Sequence, residues 1–171
     1  MQKIQISDIV KICLFPFLVY IISHSLNLLY NPEDVWWWPN ILFHFSGGFS
    51  MAVSGYFILD LAKNYNKIKT ANIFIDFILI LNFVMAMAVV WEFYELISDT
   101  YFFTHSQLSN ADTMNDLIMG GVGALFFCLF WLLRRIVAKL AKWATFLYWH
   151  KRYPMLDYLG RGVWRTLLMY G

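Results

Sequence analysis

Three carboxylates in the stretch WEFYELISD, residues 91–99, could do chemistry that the rest of the chain is poorly suited to. On an α-helix, Glu92, Glu95 and Asp99 (i, i+3, i+7) fall within an arc of roughly 60°, so they share one stripe. They close an apolar run, IFIDFILILNFVMAMAVV, with the length and composition of a membrane span. A carboxylate deep in a span costs about 2.5–3.5 kcal/mol on insertion scales, less near the interface. Three solutions exist: the acids are protonated, they face water, or they hold a cation. Carboxylates with histidine suit Mn²⁺, Fe²⁺ or Zn²⁺, whereas carboxylates and water suit Mg²⁺ or Ca²⁺.

The elements that must position these groups follow from composition. Of 171 residues, 60% are hydrophobic and only 14% charged, too few charges to cover a soluble domain of this size. The reading is an all-α, polytopic membrane protein with four transmembrane helices in a bundle. The spans fall at about 9–30, 39–61, 71–98 and 113–140, each long enough for the roughly 20 residues that a crossing needs. This divides the chain into a bundle, 1–141, and a basic, aromatic, amphipathic segment, 142–171, expected along the cytoplasmic face against anionic lipid. Protein docking is the rival role for that segment. Cys13 and Cys128 both lie in apolar runs, which disfavours a disulfide, and no C-x-x-C pair suggests zinc. The N-terminus has Asp8 beside Lys3 and Lys11 and no small-x-small cleavage site, so it does not read as a cleaved signal.

All thirteen Lys and Arg fall before or early in span one, between spans two and three, or from Arg134 onward. The positive-inside rule then puts both termini and the middle loop in the cytoplasm of a bacterial inner membrane. The positive net charge is explained by topology, which argues against nucleic-acid binding. WWWP at 36–39 reads as interface aromatics followed by Pro39 in the first turn of span two; a platform for stacking substrate is the alternative.

With that direction fixed, polar groups from four spans reach one depth. At 1.5 Å per residue, His44 lies about 7–8 Å inside the outer surface, Glu92 about 9 Å, Glu95 about 5 Å, Asp116 about 6 Å and His24 about 9 Å. Asp60 and Asp76 sit at the other end, near basic loop residues that account for them. Asp112, Asp116 and Gly120 share a stripe of span four with Gly123 and Ala124 near it; His44, Gly47, Gly48 and Gly55 are read as one side of span two. Small residues mark helix contacts in membranes, so the acids should face the bundle. The metal ligands expected are His44, Glu92, Asp112 and Asp116. The groups expected to act in catalysis are His44, Glu92, Glu95 and Asp116, with His44 or Glu95 as general base. Asp112 also reads as the N-cap of span four. Tyr94, Asn82 and Asn115 could serve as outer partners of such a site, with nothing in the sequence singling them out, while His24, with Asn27 one turn on, reads as structural and His105 as solvated.

HFSGGFSMA, WEFYE and DTMNDLIMGGVGAL, taken in that order, resemble the YjdF-like family of bacterial inner-membrane proteins, over roughly residues 39–130. Members of that family often carry extra N-terminal spans where this chain has one. The layout is more distantly similar to VanZ-like membrane proteins. The resemblance implies that His44, Glu92, Glu95, Asp112 and Asp116 are the family's polar signature, and implies no reaction.

Three functions fit this layout. One is an enzyme whose divalent metal (Mn, Fe, Zn or Mg) acts on a lipid headgroup or envelope precursor. Another is an ion or proton transport component, although no polar ladder continues to the cytoplasmic side. The third is a non-catalytic assembly subunit, as a homo-oligomer or within a larger membrane complex. No H-e-x-x-H zinc motif or phosphate-binding glycine loop is present; GGVG at 120–123 lacks the following Lys-Ser/Thr and reads as helix packing.

Overall fold

The computed structural model describes residues 4–30, 38–69, 72–104, 107 and 109–152. These form four α-helices: α1 (Ile6–Tyr30), α2 (Trp38–Asn64), α3 (Ile73–Phe102) and α4 (Asn110–Arg152). All four are long and apolar enough to cross a membrane, and no strand occurs among the described residues. The expected spans are therefore found, although α3 begins later than expected, at Ile73, and α4 runs well past residue 140, to Arg152. Residues 31–37, His105 and the tail beyond Arg152 lie outside the described residues.

Met1–Leu129 and Phe130–Gly171 form two compact units. In the first, the core is built from side chains that the sequence places along the facing stripes: Ala52, Leu59, Ile80, Val84, Ala124 and Phe127 are all buried. Most other large apolar residues are exposed, as expected of surface that meets lipid. In the second, the described residues belong to the C-terminal part of α4, where Arg135 stacks over the Trp131 ring at 4.5 Å. The expected break at 141/142 falls inside α4. Ala138, Leu140, Ala141, Lys142 and Ala144 are good helix formers, and no Gly or Pro interrupts the stretch from Ala124 to Arg152.

Local chemistry fixes the helix contacts. Pro16 sits inside α1 and has no N–H to give the carbonyl of Ile12, four residues earlier. Ser54 of α2 fills that gap: its Oγ donates to the Ile12 carbonyl at 2.5 Å. The hydroxyl is buried, so no water is needed for this. At the other end of α2, Lys63 Nζ lies 2.6 Å from Oδ2 of Asp76 in α3, whose side chain is 4% exposed. The pair accounts for the one buried acid at that end, as the sequence suggested. Asn72 caps α3 by accepting from the Phe74 N–H at 2.8 Å.

The glycines divide more finely than the stripes suggested. A Cβ on Gly48 would overlap the backbone of Gly120, and one on Gly123 would overlap the Phe45 carbonyl, so α2 and α4 touch backbone to backbone. A Cβ on Gly55 would come within 2.9 Å of the Phe83 ring. Gly47, by contrast, has nothing within 4 Å and does not pack on the side assigned to it. It is one residue, about 100°, away from Gly48. Around this crossing Phe45 and Phe49 lie against Phe126, and Phe49 meets Phe127 edge-on at 5.6 Å.

Candidate metal centre

His44 stands one turn before Gly48, and Asp116 one turn before Gly120. The contact that lets α2 and α4 approach therefore sets these two side chains face to face. His44 Nε2 lies 3.5 Å from Asp116 Oδ2, with the side chains 14% and 5% exposed. Glu92 of α3, also buried, completes the group: one ligand atom from each of His44, Glu92 and Asp116 lies within 4.8 Å of the others. Three helices thus converge on one group of side chains. The chain has no Lys or Arg between Lys11 and Lys63 or between Lys69 and Arg134, so this end of the bundle lacks basic side chains of its own.

Each acid is held by amide donors. Asn40 Nδ2 donates to Asp116 Oδ1 at 3.0 Å. Gln107 Nε2 donates to Thr113 Oγ1 at 2.6 Å and reaches Glu92 Oε2 at 3.4 Å, and the Thr113 side chain also hydrogen-bonds Glu92. Asp99 fixes the position of Gln107, since its Oδ2 accepts from the Gln107 backbone N–H at 2.7 Å while its Oδ1 accepts from Thr104 at 2.5 Å. Asp99 therefore shapes the connection between α3 and α4.

Other expected groups fall elsewhere. Asp112 is not in the ligand group. It is one turn before Asp116 on α4, an axial offset of about 6 Å. Its N–H donates to Ser109 Oγ at 3.2 Å, and Ser109 rather than Asp112 caps the helix. Glu95, half-buried, is also outside the group; its Oε1 accepts from the Trp91 indole N–H at 2.6 Å on its own helix. His24 is exposed and stacks on Tyr20, with ring centroids 5.6 Å apart. Asn82 donates back to the Ile78 carbonyl, and Tyr94 and Asn115 are exposed, so none of the three supports the ligands. Of the groups that do, Asn40 and Gln107 carry no motif, while Thr113 belongs to the DTMND stretch without having been singled out in it. The only signal for Asn40 was its place one turn before His44.

A family model described as predicted membrane protein (DUF2238) matches residues 1–137. The match takes in all of α1, beyond the stretch over which the YjdF-like resemblance was read; it is consistent with that resemblance and adds nothing on VanZ-like proteins. No curated protein and no solved structure matches the chain.

Proposed function

The chain belongs to the DUF2238 family of predicted membrane proteins, and from that premise we propose that it is a bacterial inner-membrane protein that binds a divalent cation through His44, Glu92 and Asp116. In this reading both termini are cytoplasmic and the site opens outward, which the distribution of Lys and Arg supports. The observation that carries the proposal is the convergence of one imidazole and two buried carboxylates from three helices within 4.8 Å. A divalent cation neutralises both acids at once and offsets a burial that is otherwise costly.

In this reading the site lies close to headgroup depth, so the substrate class we propose is a lipid headgroup or envelope precursor bearing a phosphate. A cation here would polarise a phosphoryl oxygen or lower the pKa of bound water. Glu95, one turn from Glu92 and oriented by Trp91, is the acid we propose to take a proton. The test is metal content by mass spectrometry on purified protein beside Glu92→Gln and Asp116→Asn. Near-stoichiometric Mn, Fe, Zn or Mg, lost in both variants, is the expected result, followed by changed lipid products in cells carrying either variant. Folded wild-type protein without metal would sink the proposal and turn attention to proton flux.

A further inference from the structure

We propose that Asn40 and Gln107 are positioning residues that hold Asp116 and Glu92 to one ligand oxygen each, so that the bound cation keeps open coordination positions for an oxyanion. The inference rests on the cation reading above and deepens it. A free carboxylate can chelate through both oxygens. At Asp116 this is opposed by Asn40, whose Nδ2 donates to Oδ1 at 3.0 Å while Oδ2 is the oxygen turned to His44. At Glu92 the Gln107 amide reaches Oε2 at 3.4 Å. An oxygen occupied by an N–H donor is a poorer partner for a cation, and the fixed carboxylate plane aims its other oxygen. The Asn40 contact is the closer of the two; at Glu92 the longer Gln107 contact is joined by the Thr113 side chain, to which Gln107 Nε2 also donates at 2.6 Å.

The consequence is a count. Three protein atoms, one each from His44, Glu92 and Asp116, leave one position on a four-coordinate ion and three on a six-coordinate ion. Two carboxylate ligands also balance a dipositive ion, so the ion and its ligands together carry no net charge, with Asp112 and Glu95 as further carboxyl groups nearby. A site saturated by two chelating carboxylates would instead read as structural.

The experiment loads full-length protein with Mn²⁺ and counts bound water by electron–nuclear double resonance in ¹⁷O-labelled water, with and without inorganic phosphate. Asn40→Leu keeps the side-chain size and removes the donor. It should lower the water count by one, as Asp116 closes into a chelate, and weaken phosphate binding by about tenfold or more, the scale on which such outer partners act. Gln107→Leu, outside the helices, combined with Thr113→Val to remove both donors to Glu92, should lower the count in the same direction and serves if Asn40→Leu misfolds. Loss of packing alone would change Mn²⁺ affinity but not the hydration of the bound ion. Wild-type protein that binds Mn²⁺ and variants with unchanged water counts would overturn this inference alone. Wild-type protein that binds no Mn²⁺ would overturn it together with the cation reading.

Discussion

Ser54→Ala should destabilise the protein only while Pro16 is present. Pro16 removes the N–H that would serve the Ile12 carbonyl, and the Ser54 hydroxyl replaces it from α2 at 2.5 Å. Ser54 is 3% exposed, so no water can take over when the hydroxyl is removed. A buried carbonyl left without a donor costs about 1–3 kcal/mol in soluble proteins, whereas interhelical bonds in membranes average about 0.6 and reach about 1.7 kcal/mol. The short distance and the missing intrahelical donor place this bond at the upper end, so we expect a loss of about 1–1.5 kcal/mol. In a Pro16→Ala background the residue-16 N–H serves Ile12, and Ser54→Ala should cost only its weaker contact with the Ser50 carbonyl at 3.3 Å. A double-mutant cycle, read by reversible unfolding in mixed micelles, should give a coupling of about 1 kcal/mol. Additive losses, with coupling below about 0.3 kcal/mol, would refute the assignment of Ser54 to the proline gap.

Further predictions follow from the other contacts. Gly48→Ala and Gly123→Ala should each cost about 1–3 kcal/mol, because the added methyl meets backbone that cannot rotate away, while Gly47→Ala should be near neutral; the same unfolding assay ranks them. Lys63→Met removes the cation facing the buried Asp76 carboxylate and should cost about 1–3 kcal/mol, most of it recovered in the Lys63→Met, Asp76→Asn double variant. Mn²⁺ or Zn²⁺ at 100 times its dissociation constant should raise unfolding stability by about 2.7 kcal/mol in wild type and not in Glu92→Gln, which thermal scans with and without chelator would check.

Much of this was legible in the sequence for a simple reason. Membrane spans announce themselves by length, and an acid within one is rare enough to single out Glu92 and Asp116 by depth alone. Depth does not give rotation. Glu92 and Glu95 differ by about 60° around the helix, and only the packing of α3 decides that the first enters the group and the second turns to Trp91. Gly47 and Gly48 were inseparable for the same reason. Asp112 and Ser109 are both good capping residues three positions apart, and the chain alone does not say where the helix begins. Asn40, Gln107 and Thr113 are ordinary polar residues near an interface, and become informative only when the oxygens they bind are known.

The glycine contact between α2 and α4 can be viewed as a gauge block. Gly48 and Gly120 bring two backbones as near as backbones can come, and the donor atoms one turn away inherit that spacing. For the cation proposed above, helix separation would act as a selector of ionic radius. A methyl inserted at residue 48 would widen the aperture between His44 and Asp116 and favour a larger ion over a smaller one, altering metal preference without touching a ligand.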